Sequence, residues 1–496
     1  MNKLVQAIQS TPTMTQTANG AITFNSTTSK VLDLFSRGGA LRTRSESEVT
    51  SLFSAAYNED KLLALKCLFY LRDIRGGQGE RKVFRTCLKW LVENDAETFV
   101  ANFDNVALFG RYDDVLHLLD TPAEKAVSIL LHEQLVNDTH TPVSDSISLL
   151  AKWMPSSNTS SINTRRLAKK LMKNFGWNPK KYRKTLSALR ARINIVEANM
   201  CANNWEDIEF SSVPSRASMI YRKAFRKHDT KRYEEWQTKV ASGTAKINAA
   251  TLFPYDLVRE SEKFDSDPSN RTPEEKSSIK TLDLQWKNLP DYLKKNPHNG
   301  LVVADVSGSM NGLPMQVSIS MAMYFAERNV GSFKDYFITF SGQPTLQKVV
   351  GKTIVDKVQN LSRADWEQNT NLQAVFELIL NAATKDSVPA SEMPSMIYIV
   401  SDMEFDTACE DNSSTNFQAI EKKYKAAGYE RPNICFWNVS STSDQSPVTK
   451  DQRGTTLVSG CSPSTFQHVM EGSTMTPYEF MLGVLNVERY ETVIVE

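Results

Sequence analysis

Five oxygen-bearing side chains carry the most distinctive chemistry in this sequence. Asp305, Ser307 and Ser309 alternate in Leu301-Val-Val-Ala-Asp-Val-Ser-Gly-Ser-Met310, directly after an apolar run. Thr370 follows in Asn369-Thr-Asn371, just ahead of a helical pattern, and Asp402 closes the apolar run Met396–Ser401. A carboxylate and two hydroxyls at alternating positions, with a further hydroxyl and carboxylate downstream, suit a hard divalent cation. Such an ion takes oxygen ligands and keeps some of its water. Mg²⁺ is the expected ion, with Mn²⁺ or Ca²⁺ as alternatives. The plain alternative for Asp-Val-Ser-Gly-Ser is a polar strand-to-helix turn with a serine N-cap. No histidine stands near these serines in sequence and the hydrolase elbow GxSxG is absent, so a hydrolytic serine is not expected. No other nucleophile with a base and no cofactor loop emerges, and the expectation is a binding protein rather than an enzyme.

The second concentration of chemistry is cationic. The net charge of +1 hides a split: residues 300–496 carry −9 and residues 1–299 carry +10. From Ala151 to Ile195 there is no Asp or Glu, and twelve basic residues fall in that stretch. Arg165, Arg166, Lys169, Lys170 and Lys173 lie within a ~140° arc of one helix, opposite Leu167, Ala168, Leu171 and Met172. Lys180, Lys181, Arg183 and Lys184 follow, and a later cluster holds Arg222, Lys223, Arg226 and Lys227 among Tyr221, Phe225 and His228. A solvated helix face usually mixes signs, whereas an acid-free run repels itself unless an anion offsets it. Nucleic acid is the favoured anion, with an acidic protein surface or plain solvation as alternatives. RNA is favoured over duplex DNA because no helix-turn-helix, zinc-finger or basic-zipper signature appears.

The elements that must position these groups divide the chain. Residues 1–27 are polar and read as a flexible or loosely docked arm. Residues 28–258 show helical spacing, as in Lys61–Ile74, Arg81–Asn94 and Ala123–Asn137, with short breaks such as Arg75-Gly-Gly-Gln-Gly79 and Phe109-Gly-Arg-Tyr-Asp113. That rhythm predicts an all-α, HEAT-like solenoid. The glycine-rich break lacks the Gly-Lys-Ser/Thr ending of a phosphate loop and reads as a tight inter-helix turn. Residues 259–297 are polar and read as a linker, with an amphipathic piece at Leu282–Leu293. From 298 to 496 apolar strands alternate with helices, which predicts a doubly wound α/β domain with a parallel sheet. Six scattered cysteines without a CxxC pair predict free thiols in a reducing compartment, and a cytoplasmic protein is expected. No membrane span is expected, because no apolar run is long enough.

The Asp-x-Ser-x-Ser run with its later Thr and strand-end Asp resembles the metal-ion-dependent adhesion site of von Willebrand factor A domains. That resemblance implies that Asp305, Ser307, Ser309, Thr370 and Asp402 surround the metal, directly or through water, and that a partner's carboxylate can complete it. A helical solenoid followed by such a domain is similar to the Ro ribonucleoprotein family with its N-terminal TROVE module. The stretches Leu65–Arg85, Phe109–Asp114, Thr251–Val258 and Val400–Asp406 look like an uncharacterised Ro-like family of plants, fungi and bacteriophages. The resemblance implies a ring of helices closed against the A domain and binding of structured or misfolded noncoding RNA. A metal-dependent protein adaptor and a structural component of a larger particle are the alternatives.

Overall fold

The computed structural model describes residues 12–142, 147–193, 195–294, 297, 299–340, 343–362, 370–407, 415–469 and 475–496. The first eleven residues of the expected arm, Asn369 and Cys409 lie outside the described residues.

Within residues 12–27 the expected flexible arm is a docked hairpin. Strands β1 (Met14–Gln16) and β2 (Ile22–Phe24) pair antiparallel. Phe24 and Ser446 exchange backbone hydrogen bonds of 3.0 and 2.8 Å, and the Thr23 hydroxyl bonds Gln445 and Ser446. The same polar side chains that gave the segment its disordered look are its cross-domain hydrogen-bonding groups.

The half expected to be helical is helical, and local caps open its first elements. Ser29 caps the helix Lys30–Gly38, and a Ser45/Glu48 capping box opens Glu46–Glu59. Asp60 caps Lys61–Arg72, whose residues from Cys67 to Arg72 are all buried. Later helices include Lys82–Asn94, Glu124–His140, Ile162–Phe175 and Pro179–Ile193. A second, smaller core forms around Ile208, Phe210, Phe225, Tyr233, Trp236 and Ile247.

The expected linker at 259–297 is a correction. It contains the 15-residue helix Pro273–Lys287, opened by a Thr272/Glu275 capping box. Ser277, Ser278, Thr281 and Gln285 on it are buried, and neighbouring helices supply hydrogen bonds to three of the four. Thr281 Oγ1 meets the Tyr233 hydroxyl at 2.9 Å and the Gln237 amide at 2.7 Å, and the Gln285 amide donates to Ser215 O. Composition reads such a stretch as solvated, but a satisfied hydrogen bond removes most of the burial penalty.

The α/β domain carries strands β3 (Gly300–Ala304), β4 (Tyr336–Thr339), β5 (Leu346–Lys348), β6 (Met396–Ser401), β7 (Asn433–Asn438) and β8 (Thr455–Ser459). They form one sheet in the order β5-β4-β3-β6-β7-β8. All pairings are parallel except β4–β5, an antiparallel edge that alternation did not reveal. Every residue of β3, β6 and β8 is buried, as a sheet covered on both faces requires.

The two halves share one continuous hydrophobic core. At one end of the helical half, Lys30–Gly38 packs on β8, and Gly39 lies so close that a Cβ there would sit 2.7 Å from Gly460 backbone. At the other end, Pro254–Ser261 and Pro273–Lys287 pack on Leu313–Arg328 and Ile354–Ser362. The chain then returns from the α/β domain: Pro477–Leu485 packs on the first helices, and Asn102 and Asn105 hold the backbone of Ile494 and Thr492.

The Arg75–Gly79 break belongs to this joint. Asp73, fully buried, takes two bonds from Arg489 and one from the Tyr490 hydroxyl. Gln78, also buried, donates to Thr465 Oγ1 at 2.7 Å and accepts from Ser462 N at 3.3 Å. Glycine is needed at 77, where a Cβ would lie 1.9 Å from Tyr70 O. The motif thus seals one half of the chain to the other.

Candidate metal centre and basic surface

Four of the five candidate metal ligands come together where β3 and β6 end, at the carboxyl edge of the sheet. Asp305 hydrogen-bonds across to β6 twice, through its N–H to Val400 O at 3.0 Å and through Oδ2, which accepts from Ser401 Oγ at 2.6 Å. Its Oδ1 accepts from Ser307 N at 2.9 Å, and the Ser307 and Ser309 hydroxyls lie 3.1 Å apart. Asp402 accepts from Glu404 N at 3.1 Å, across a turn in which Met403 holds φ +67°. Thr370 joins the same loop: its hydroxyl meets Glu404 O and Asp406 Oδ1, each at 3.0 Å, and its N–H donates to Asp406 Oδ2 at 2.7 Å.

These groups fit a cation better than a plain turn. Ser307 stands at the N-cap of the short helical turn Gly308–Met310, yet its side chain makes no capping bond. Asp305 and Asp402 are 0% and 1% exposed, and neither forms an ion pair among the described residues. Burial pushes Asp305 up to about 6, and the neighbouring Asp402 charge pushes the same way. Burial likewise raises Asp402, against the pull of the Ser309 hydroxyl. Asp402 Oδ2 meets no donor at hydrogen-bonding geometry. Two buried carboxylates without a countercharge are costly unless protonated or joined by a cation. Gly308 and Ser309, in the turn beside the pair, are exposed. Among the described residues no three His, Cys, Asp or Glu form a metal cluster, so a cation here would rely on hydroxyl donors beside the two carboxylates.

Three further residues of this centre escaped the sequence reading: Ser401, Glu404 and Asn19. Ser401 ends a strand and looked like core. Glu404 is 3% exposed; its Oε1 accepts from Ser443 Oγ at 2.5 Å and its Oε2 from Ala18 N at 2.6 Å. Nothing in the sequence links Asn19 to residue 370.

The basic candidates separate into two groups. Arg166 makes two bonds to Asp120, of 2.7 and 2.8 Å, and Lys170 bridges Asp120 and Glu124. Arg222 is 6% exposed and paired with Glu260, and Arg226 meets Glu234 and Glu274. Arg165 ties down the carbonyls of Thr159 and Ser160. These five are corrections to a freely presented stripe: acidic residues remote in sequence, or local backbone, take up their charge. Lys169, Lys173, Lys180, Arg183, Lys184, Lys223 and Lys227 remain exposed, and their side chains form no ion pair or hydrogen bond among the described residues. Lys181 is also exposed and lies over the Trp177 ring, 4.7 Å from its centroid.

Fold and site together define a helical domain closed onto a doubly wound α/β domain that carries a candidate cation loop. Residues 17–142 and 138–298 match the family model described as domain of unknown function DUF2828, which covers more than half of the chain, and the protein belongs to that family. Residues 299–491 match a second domain of unknown function, DUF7788. The chain is 29% identical over 516 residues to the uncharacterized protein L728 of Acanthamoeba polyphaga mimivirus, across 95% of this chain and 86% of that one. Among solved structures it is similar to the Ro (RSR) protein of Deinococcus radiodurans, at 14% identity and a TM-score of 0.34, covering 92% and 93% of the two chains. No helix among the described residues is long and apolar enough to cross a membrane.

Proposed function

We propose that this protein is a non-catalytic RNA-binding protein whose helical half holds structured RNA and whose A-type domain carries Mg²⁺. The observation that carries the reading is the set of unpaired, exposed Lys169, Lys173, Lys180, Arg183 and Lys184 on two consecutive helices. Both of those helices pack on Glu124–His140, so the cations ride on a rigid support. Cations of this kind neutralise phosphates and release counterions, which gives affinity that falls steeply with salt. The helical half meets the α/β domain at both its ends, and this supports the reading of a solenoid closed into a ring. The A-type domain contributes architecture or a partner contact through the metal, a role consistent with a site that holds two carboxylates and no nucleophile with its base.

Fluorescence anisotropy of labelled hairpin and single-stranded RNAs over a salt series tests the RNA reading. Binding with a Kd below ~10 µM at moderate salt and a negative log–log slope is expected. No binding to either RNA overturns it in favour of a metal-dependent protein adaptor, which the carboxylate-lined loop would then serve. Metal-dependent hydrolysis of RNA or nucleotide that disappears in Asp305→Ala would overturn the non-catalytic assignment.

A further inference from the structure

The docked hairpin reaches the candidate metal centre itself. Its turn places Asn19 against Thr370: the Asn19 amide donates to Thr370 Oγ1 at 3.2 Å and to Glu404 O at 2.6 Å. Around that contact the hairpin is held by the loop that carries Asp402. Thr17 Oγ1 donates to Phe405 O at 2.7 Å, Ala18 N donates to Glu404 Oε2 at 2.6 Å, and Thr407 N donates to Asn19 O at 3.3 Å. Gly20 bridges to Asp406 with φ +87°, and a Cβ there would lie 2.7 Å from Thr407 Oγ1. Three segments far apart in sequence, at 17–20, 370 and 402–407, therefore form one wall.

The hydroxyl of Thr370 has one proton and two lone pairs. Glu404 O and Asp406 Oδ1 compete for the proton, and the Asn19 amide takes one lone pair. One lone pair remains, with its direction set by these three neighbours. A hydroxyl fixed in this way is prepared to face a cation, because the partners of a ligand orient it and tune its donor strength. We propose that the N-terminal hairpin is the outer wall of the divalent-cation site, with Asn19 positioning Thr370, so that cation binding and docking of residues 12–27 are coupled. The inference rests on the metal reading above. It adds that the segment preceding the helical domain senses the state of the site. Linkage makes the coupling reciprocal: whatever lifts the hairpin weakens the cation, and the cation holds the hairpin down.

Mn²⁺ binding followed by electron paramagnetic resonance, paired with amide hydrogen exchange of residues 12–27, tests this on the full chain. Wild-type protein is expected to bind Mn²⁺ and to slow exchange in the hairpin when it does. Asn19→Ala is expected to weaken Mn²⁺ on the order of tenfold and to lose the metal-induced protection. Thr23→Val cuts the hairpin's bonds to Gln445 and Ser446, away from Thr370. It is expected to speed exchange around residue 23 while Thr17–Asn19 stay held by Glu404, Phe405 and Thr370, and so to leave Mn²⁺ affinity within about twofold, as a change that does not touch Thr370 should. A merely structural role for Asn19 would make the two variants alike, and that result overturns the positioning. Equal Mn²⁺ affinity in wild type and Asn19→Ala, with hairpin exchange indifferent to metal, overturns both the positioning and the coupling while leaving the metal site standing. Failure of the wild type to bind any Mn²⁺ overturns the metal site and the coupling with it.

Discussion

The carboxyl edge of the sheet and the basic helices present opposite electrostatic situations. At the sheet edge, Asp305 and Asp402 are buried together, and no cationic side chain meets them among the described residues. On the helices, cations that look uniform in sequence divide into paired groups such as Arg166 and Lys170 and free groups such as Lys169 and Lys173. A charge withdrawn from water must find a counterion or a proton, so two unmatched buried carboxylates call for one or the other. A charge left in water makes no such demand, and its neighbours decide whether it is available to a ligand. Burial therefore makes the first region specific and leaves the second negotiable.

The largest expected effect comes from breaking a buried charge that is already matched. Asp114 is fully buried and accepts from Arg72 at 2.8 Å and from Arg85 at 2.6 Å. Asp114→Ala leaves the buried Arg72 guanidinium without its partner and should cost about 3–5 kcal/mol in denaturant unfolding. A cost below ~1 kcal/mol would remove the contrast with the sheet edge.

Next in size is the free lysine set. Reversing Lys169, Lys173, Lys180 and Lys184 to Glu should weaken RNA binding at least ~10-fold and flatten the salt slope, with thermal stability nearly unchanged. Reversing the paired Arg166 and Lys170 should do less to RNA, since Asp120 already neutralises part of their charge. An equal effect of the two sets would show that the pairing does not matter to the ligand.

Asp305→Asn sharpens the comparison from the other side. It removes a carboxylate that has no countercharge, so the metal-free protein should gain on the order of 1 kcal/mol at neutral pH while losing its response to Mg²⁺. The sign follows from the raised folded-state value of about 6 against 3.8 unfolded. The folded state holds the proton longer, so stability without metal falls as pH rises from about 4 to about 6 and is flat above. Mg²⁺ competes with that proton, so its stabilisation in thermal melts should grow across the same window. A wild-type protein stabilised equally by Mg²⁺ at both ends of the window would contradict this.

The smallest effect belongs to Asp120. Asp120→Ala frees Arg166 and leaves Lys170 paired with Glu124 alone, and should raise RNA affinity up to about twofold, at a stability cost under ~1 kcal/mol because the pairs are largely exposed. Unchanged or weaker binding would mean that those two cations lie off the RNA path.

Much of this was legible in the sequence for identifiable reasons. The apolar run Met396–Ser401 has the length and composition of a strand covered on both sides, and the structure gives β6 those bounds. Asp305 and Asp402 each follow such a run, so the edge of the sheet brings them together without further information. The antiparallel edge β5 was missed because its residues, Leu346–Lys348, are too few to show a period. The polar stretch at 273–281 looked solvated because composition does not reveal that Tyr233 and Gln237 supply hydrogen bonds to it, whereas the amphipathic piece from Leu282 was legible.

By itself the sequence determined what depends on neighbours along the chain: the helical and alternating rhythms, the caps at Ser29, Ser45 and Asp60, and the order of oxygen donors in Asp305-Val-Ser-Gly-Ser309. Only the tertiary structure decided what depends on partners hundreds of residues away. It brought Asn19 to Thr370, Gln78 to Thr465, Asp73 to Arg489, and Asp120 to Arg166 and Lys170. The physical reason is that periodicity and capping act within a few residues of backbone. Whether a buried charge or amide is satisfied is settled only when distant segments share a dehydrated surface.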